Sequence, residues 1–278
     1  MRIWRLVAMT VLDRNLGANL SRTDFALVAM TGSKIHHMTV QMLFSFCRAW
    51  GKMPQRLIIV SDGTRSDDQI QKDFSFWKGD LILAGWESCV SSYQGDLNAM
   101  TKFAEQSVFG RKMAAMLHYA KEGPILFCDS DVLWFSPLKC MPDRSGTMIK
   151  VCQDIERSYN RDLISEMGWQ HLDTRPPMNV GVVYLNGDLV REFPVMNEAI
   201  RRLQIPYLFP EQTILTAVCK EKDVWPMSEI HIDLDDVGQW FTENPKWAAR
   251  HYVSIAKFKY WRDATRQNLM ARLGRSGR

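Results

Sequence analysis

The sequence predicts an α/β fold with a mostly parallel central sheet and helices on both faces. In the first half of the chain, four short runs consist almost entirely of apolar residues, which is typical of strands buried on both faces. Stretches with apolar residues at helical spacing lie between these runs. Strands that alternate with helices along the chain pair in parallel, because each helix returns the chain to the end of the sheet at which the previous strand began.

These runs fix the order of the predicted elements in the first half. The predicted strands cover residues 25–31, 57–60, 81–84 and 124–128. Ser33 offers an N-cap side chain for the first helix, and Gly51 and Pro54 end that helix. Further helices are predicted around residues 66–72 and 111–121.

The second half of the chain is less regular. Strands are predicted at residues 148–152 and 180–185, and helices at residues 188–202 and 211–220. We expect one continuous domain over residues 1–278. It would consist of a nucleotide-binding half at about 24–135, an irregular acceptor half at about 136–261, and a basic tail at 262–278.

The composition is that of an ordinary globular protein. The chain has 278 residues and a net charge of +4, with 46% hydrophobic and 24% charged residues, which excludes disorder, collagen and coiled coil as descriptions of the whole chain. The six cysteines include no C-x-x-C pair, which argues against a disulfide framework and a zinc knuckle. No apolar stretch reaches the roughly 18 residues that a membrane span needs. We therefore expect a cytoplasmic protein with at most peripheral membrane contact.

The most informative motif is Asp129-Ser130-Asp131, at the end of the fourth predicted strand. Residues two apart in an extended chain point to the same side, and the carboxyl end of a parallel strand faces the ligand crevice. Two adjacent carboxylates repel each other unless a cation lies between them. Hard oxygen ligands suit Mg²⁺ or Mn²⁺, which can hold a diphosphate. The alternative is that both acids merely end the strand at the surface.

The same motif also resembles the first motif of the haloacid-dehalogenase-type phosphatases. Asp129 would then be the nucleophile of a Mg²⁺-dependent phosphatase. The chain departs from that pattern at Leu133, where those enzymes have Thr or Val, and in the three strands that precede the motif. The phosphatase is therefore the minor alternative.

Three further motifs follow in the second half. Residues 178–187 read MNVGVVYLNG, residues 210–216 read PEQTILT, and residues 250–257 read RHYVSIAK. Alone, each has an ordinary structural explanation: a turn asparagine with a packing glycine, an acid favoured by a helix N-terminus, and a structural histidine.

In this order, the four motifs resemble those of the GT-A-fold nucleotide-sugar glycosyltransferases, in particular the retaining family-eight type that includes glycogenin and bacterial lipopolysaccharide galactosyltransferases. That family has a strand followed by D-x-D, an NAGV-like strand, a helix that begins with D-Q, and an H-x-x-G-x-x-K loop. This chain has DSD, NVGV, EQTIL and HYVSIAK, and the resemblance extends from Phe25 to Trp261. It implies a Rossmann-like GT-A fold with an irregular C-terminal acceptor half.

The resemblance also implies roles for individual residues. The metal ligands would be Asp129, Asp131 and His251. A mixed oxygen and nitrogen ligand set favours Mn²⁺ somewhat over Mg²⁺. The residues that contact the nucleotide-sugar donor would be Ala29, Met30, Thr31, Asp62, Arg111, Ser130 and Lys257. Among them, Lys257 would bind the diphosphate. The catalytic residues would be Gln212, Glu211 and Asn179.

The chain departs from the family pattern at three places. The family often has an acidic residue after its first strand, where this chain has Met30-Thr31-Gly32. This weakens the inference that the base is uracil, although a UDP-sugar is still the expected donor. The glycine of the H-x-x-G-x-x-K loop is Ser254, which crowds a phosphate-binding loop, and Glu211 replaces the usual Asp.

The expected reaction is transfer of a sugar from a nucleoside diphosphate to a hydroxyl group of a glycan or a lipopolysaccharide-like glycolipid. The amide of Gln212 is a poor nucleophile, which favours front-face attack with retention of configuration. If Glu211 or Asp154 acts as a base, inversion results. The alternative without catalysis is binding to an anionic surface through the arginine-rich tail. No nucleic-acid partner is expected from so small a net charge, and the oligomeric state is not predicted.

Overall fold

The structure is a computed structural model and describes residues 2–13, 20–142, 146–204, 208–234 and 245–276. Its helices are α1 (Arg2–Thr10), α2 (His36–Trp50), α3 (Asp67–Phe74), α4 (Trp86–Ser91), α5 (Leu97–Gln106), α6 (Val108–Glu122), α7 (Arg161–Met167), α8 (Leu189–Glu192), α9 (Pro194–Arg202), α10 (Pro210–Val218) and α11 (Lys257–Ser276). Its strands are β1 (Ser21–Arg22), β2 (Ala26–Thr31), β3 (Lys52–Met53), β4 (Leu57–Ser61), β5 (Leu81–Gly85), β6 (Ile125–Cys128), β7 (Val132–Trp134), β8 (Met148–Gln153), β9 (Met178–Asn186), β10 (Val224–Trp225), β11 (Ile230–Asp233) and β12 (Ala249–Tyr252).

The main sheet has the strand order β10-β8-β9-β6-β2-β4-β5 in the described part of the chain. The strands β6, β2, β4 and β5 are mutually parallel, as predicted. In contrast, β9 is antiparallel to both of its neighbours, β6 and β8. The prediction of a mostly parallel sheet is confirmed, and the second half of the chain extends the same sheet through β8, β9 and β10.

Helices cover both faces of this sheet. Successive residues of each strand point to opposite faces, so neighbouring residues pack against different helices. Val28 of β2 and Phe127 of β6 belong to a hydrophobic cluster that includes residues of α5 and α6. Their neighbours Leu27 and Leu126 belong to a second cluster, on the opposite face, that includes residues of α2 and α3. The expected three-layer architecture is therefore confirmed.

Two predicted helices differ from the observed ones. The first predicted helix corresponds to α2, which begins at His36. Its N-cap position is Ile35, so Ser33 is not its N-cap. Instead, the backbone N–H of Ser33 donates to the hydroxyl of Thr64 at 2.9 Å. The helix predicted at residues 188–202 is divided into α8 and α9, because Pro194 lacks a backbone N–H and occupies the first position of a new helix.

The chain segment predicted as a basic tail begins inside a packed helix. Helix α11 runs from Lys257 to Ser276, and its residues Arg262 and Asn268 are buried. The amide of Asn268 donates to the carbonyl of Ala8 in α1 at 3.0 Å. Residues 277–278 of the predicted tail lie outside the described residues. Among the described helices, none combines the length and the apolar character needed to cross a bilayer.

A small second sheet brings distant parts of the chain together. In this sheet, β12 pairs antiparallel with β7, and His251 lies opposite Val132. The backbone N–H of Tyr252 donates to the carbonyl of Asp131 at 2.9 Å. This pairing places the late histidine motif beside the two aspartates.

Candidate active site

Asp129 and Asp131 lie on the tight turn between β6 and β7. The backbone N–H of Asp129 donates to the carbonyl of Gly181 in β9 at 2.7 Å, and Val132 N–H donates to the carbonyl of Asp129 at 3.3 Å. β6 ends at Cys128, as predicted, but the expectation that the two aspartates follow it in extended chain is wrong, because residues 130–131 form a turn. The turn nevertheless directs both carboxylates towards His251.

The side chains of Asp129, Asp131 and His251 form one cluster. Nε2 of His251 lies 3.1 Å from Oδ1 of Asp131 and 3.9 Å from Oδ2 of Asp129. Two ligands bound at about 2.1 Å to the same ion can be at most about 4.2 Å apart, so both distances suit a shared cation. His251 and Asp131 are buried, whereas the side chain of Asp129 is 28% exposed. The cluster therefore opens to solvent on the Asp129 side.

Asn179 fixes the orientation and the tautomer of the histidine. Its Oδ1 accepts the backbone N–H of Gly181 at 2.7 Å, and its Nδ2 donates to Oδ2 of Asp154 at 3.0 Å. Oδ1 also lies 3.1 Å from Nδ1 of His251, and an amide oxygen can only accept. Nδ1 therefore carries a proton, and in the neutral ring the lone pair is on Nε2, which faces the two carboxylates.

Gly181 is required for this arrangement. A Cβ atom at position 181 would lie 2.2 Å from Cε1 of His251 and 2.4 Å from Nδ1. Carbon atoms in contact are about 3.5–4.0 Å apart, so any side chain here would displace the imidazole. The small residue in the NVGV string therefore makes room for the histidine.

Two lysines flank the carboxylates. Nζ of Lys112 lies 2.9 Å from Oδ2 of Asp129 and 3.9 Å from Oε1 of Glu211, and Lys112 is buried. Nζ of Lys257 lies 3.0 Å from Oδ2 of Asp131, and its side chain is 43% exposed. The site thus combines one enclosed cation with one that reaches solvent.

Lys112 was not among the residues predicted from the sequence, which pointed to its neighbour Arg111. A usable signal is present in helix α6. The positions three, four and seven residues after Lys112 are Ala115, Met116 and Tyr119, all buried. A buried lysine on an otherwise apolar helix face needs an anionic partner, and the carboxylates of Asp129 and Glu211 lie within 4 Å of it.

The charges in the cluster shift one another's proton affinities. Burial alone would lower the pKa of His251, but the carboxylates of Asp131 and Asp129 outweigh it and raise that pKa. Burial alone would raise the pKa of Asp131, whereas His251 and Lys257 hold it well below the usual value. The pKa of Lys112 is raised, because Asp129 and Glu211 outweigh its own desolvation.

Glu211 and Gln212 begin helix α10, as predicted, and both are buried. Burial raises the pKa of Glu211 to about 7, against the opposing effect of Lys112. Oε2 of Glu211 is buried and has no hydrogen-bond partner among the described residues. Nε2 of Gln212 donates to the carbonyl of Ser158 at 2.8 Å, which fixes the amide. The amide of Gln212 is therefore fixed by the backbone, whereas the carboxyl group of Glu211 changes its protonation state near neutral pH.

The residues predicted to hold the nucleoside lie at the carboxyl ends of β2 and β4. The predicted β2 residues Ala29, Met30 and Thr31 are buried, and Thr31 accepts the backbone N–H of Asp62 at 2.8 Å. A Cβ at Gly32 would lie 1.9 Å from Oδ2 of Asp62, so the carboxylate packs directly on the backbone. This turn follows the strand β4 in the sheet.

Arg111 supports this turn from helix α6. Its guanidinium donates to the backbone carbonyls of Asp62, Ala104 and Glu105 and lies over the ring of Trp86. These contacts hold the turn after β4 against α5. Ser130, the remaining predicted donor contact, lies between the two aspartates and is buried.

Solved glycosyltransferase structures share this architecture. The galactosyltransferase LgtC, in complex with donor and acceptor sugar analogues, has a TM-score of 0.54 at 14% identity over 86% of this chain and 95% of its own. The chain has the GT-A glycosyltransferase fold. The fold that the four motifs predicted is therefore confirmed.

Two further structures agree. GlyE of Streptococcus pneumoniae has a TM-score of 0.56 at 12% identity over 91% of this chain and 64% of its own. The bifunctional glycosyltransferase WbbM has a TM-score of 0.58 at 14% identity over 91% of this chain, which spans half the length of WbbM. No family model matches the chain, and no curated protein sequence matches it.

Proposed function

We propose that the chain is a metal-dependent glycosyltransferase that moves a sugar from a nucleoside diphosphate to a hydroxyl group of a glycan or glycolipid. The observation that carries the proposal is the cluster of Asp129, Asp131 and His251 beside β6 of a GT-A fold. The similar structure of LgtC contains both a donor and an acceptor sugar analogue, which supports the same substrate classes here.

The residues of the cluster fit a divalent cation of the Mn²⁺ or Mg²⁺ type. Two carboxylates and an imidazole nitrogen offer a mixed oxygen and nitrogen set, which favours Mn²⁺. The hydrogen bond from Nδ1 of His251 to Asn179 leaves Nε2 as the ligand atom, as second-shell partners do in metal sites. When bound, the cation acts as a Lewis acid on the leaving diphosphate.

Both lysines would stabilise the negative charge of the leaving diphosphate. Negative charge grows on the diphosphate as it leaves, and a cation in a water-poor site favours that charge more in the transition state than in the ground state. Lys112 is a fixed, enclosed charge, whereas the half-exposed Lys257 can move from Asp131 to a phosphate oxygen. Loss of one such contact typically costs about 3–4 kcal/mol of transition-state stabilisation.

We further propose retention of configuration, by front-face attack of the acceptor hydroxyl. Gln212 is a poor nucleophile and is tied to Ser158. Asp154 is poorly suited to act as an inverting base, because its carboxylate already accepts hydrogen bonds from Asn179 and from the backbone of Ile155. Glu211 is the remaining base candidate. A β-linked product from an α-linked donor, detected by NMR, would contradict retention.

The proposed donor is a UDP-sugar. The nucleoside would lie against the carboxyl ends of β2 and β4, at Ala29, Met30, Thr31 and Asp62. The backbone N–H and the hydroxyl of Thr64 both donate to Oδ1 of Asp62, at 2.9 and 2.6 Å, which fixes the carboxylate at the end of β4. Arg111 would act on the donor through this turn.

The phosphatase alternative receives no support from the fold. One of the two strands beside β6 is the antiparallel β9, and the similar structures are glycosyltransferases. Lys112 also binds the carboxylate of Asp129, the group that a phosphatase would use as its nucleophile.

A thermal-shift panel of UDP, GDP and CDP, with and without Mn²⁺, tests the proposal. We expect a nucleoside diphosphate to raise the melting temperature only when Mn²⁺ is present. Asp131→Asn should abolish this shift, and the exposed control Glu87→Gln should keep it. A nucleotide shift that is equal with and without Mn²⁺ contradicts metal dependence, and no shift with any nucleotide contradicts the proposed donor.

A further inference from the structure

Helices α1 and α11 together expose a group of large apolar side chains. Among the described residues, the exposed members on these two helices are Ile3, Trp4, Leu6, Leu269, Met270 and Leu273. They make up nearly half of the exposed large apolar residues in the described part of the chain, although the two helices contain only about a tenth of the residues. Exposed apolar residues concentrated in this way indicate a binding surface rather than scattered surface positions.

The two helices lie side by side and run in the same direction. The hydroxyl of Thr265 donates to the carbonyl of Trp4 near the start of α1, and the guanidinium of Arg272 donates to the carbonyl of Thr10 at its end. The exposed side chains of both helices therefore lie on the solvent side of one helix pair. We call this surface the α1/α11 face.

The α1/α11 face is not a by-product of core packing. In α1, Ile3 and Leu6 are on the side opposite to the buried Ala8, at helical spacing. In α11, Leu269 and Leu273 are likewise on the side opposite to the buried Ala264. A surface helix normally carries polar residues on its outer side, so these apolar positions need another explanation.

The charge of the same helices is positive. Helix α1 contains no acidic residue and exposes Arg2 and Arg5. The only acidic residue of α11 is Asp263, which is buried and bound to Arg250. Basic residues beside exposed apolar side chains are typical of helices that lie in the headgroup region of a membrane.

We propose that the α1/α11 face binds the surface of an anionic lipid bilayer. The apolar side chains would enter the headgroup region, and the arginines would contact lipid phosphates. A second copy of the chain fits less well, because it would bring the same arginines close to one another. This inference does not depend on the proposed glycosyl transfer.

Vesicle co-sedimentation tests the proposal with full-length protein. We expect binding to vesicles of 70% phosphatidylcholine and 30% phosphatidylglycerol, and much weaker binding to pure phosphatidylcholine. Leu6→Ser and Leu273→Ser should each weaken partitioning about tenfold. Arg2→Gln and Arg5→Gln should each weaken it about fivefold at low salt, and less at high salt.

Matched control variants show whether a loss of vesicle binding is specific to the α1/α11 face or follows from removing any exposed leucine or arginine. The exposed residues Leu97 and Arg191 lie on other helices, so Leu97→Ser and Arg191→Gln should bind vesicles like the wild type. Point substitutions are preferable to deletion of residues 262–278, because that segment includes buried residues such as Asn268. Circular dichroism verifies that each variant is folded.

Two outcomes would overturn the proposal. The first is vesicle binding that is absent, or that Leu6→Ser and Leu273→Ser leave unchanged. The second is a dimer in light scattering that the same leucine variants disperse while vesicle binding stays absent, which would assign the α1/α11 face to a second copy of the chain.

Discussion

The buried carboxyl group of Glu211 makes the stability of the protein depend on pH in a specific direction. Its pKa rises from 4.5 to about 7 on folding, because burial penalises the charged form. The folded state therefore holds this proton more tightly than the unfolded state does. The free energy of unfolding then falls as the pH rises from about 4.5 to about 7, and the loss is constant above that range.

The size of this effect follows from the shift. At 1.36 kcal/mol per pKa unit, the charged carboxylate costs about 3 kcal/mol at pH 8 and little at pH 4. Glu211→Gln removes the titrating group and keeps the side-chain volume. The raised pKa of Lys112 keeps this lysine charged at pH 4 and at pH 8. A change in the free energy of unfolding that comes from Lys112 itself is therefore the same at both pH values.

Urea unfolding at pH 5 and pH 8, with a chelator present, measures the effect. Between these two pH values, we expect the wild type to lose about 2–3 kcal/mol more unfolding free energy than Glu211→Gln. The exposed control Glu87→Gln should behave like the wild type. If the loss in Glu211→Gln matches that of the wild type within about 0.5 kcal/mol, the raised pKa is refuted.

Three further predictions concern the loops and contacts of the site. Ser254 has a left-handed backbone conformation with φ of 52°, which is strained for a residue with a Cβ atom. Ser254→Gly should therefore raise the free energy of unfolding by about 0.5–1 kcal/mol in urea titration, and a decrease would contradict this strain. Asn179→Ala should weaken Mn²⁺ binding about 10–100-fold in calorimetry by releasing His251, and unchanged affinity would rule out the orienting role. Lys112→Met should lower kcat by about 100-fold or more while folding is retained, and an unchanged kcat would exclude Lys112 from charge stabilisation near Asp129.

Much of the fold could be predicted because local patterns determine it. The four apolar runs correspond to β2, β4, β5 and β6, and the three helices predicted between them correspond to α2, α3 and α6, whereas α4 and α5 were not predicted. The antiparallel direction of β9 could not be predicted, because a short apolar run looks the same in either direction. The break before Pro194 had a local signal, since proline cannot continue a helix.

The candidate site was predictable in its residue types and not in its geometry. The order of the motifs suggested that Asp129, Asp131 and His251 belong together, and the structure brings their ligand atoms within 4.8 Å of one another. The pairing of β12 with β7 that achieves this joins distant parts of the chain, which no local pattern encodes. Lys112 was missed because the motif comparison favoured its neighbour, although its position on an apolar helix face distinguishes it.

The central claim is that the two aspartates and the histidine hold one divalent cation. Electron paramagnetic resonance titration of Mn²⁺ tests this most directly, with and without UDP. We expect one ion per chain, bound more tightly with UDP, and an affinity at least tenfold lower in Asp131→Asn than in the wild type. No stoichiometric binding, or equal affinity in the wild type and Asp131→Asn, would contradict the claim.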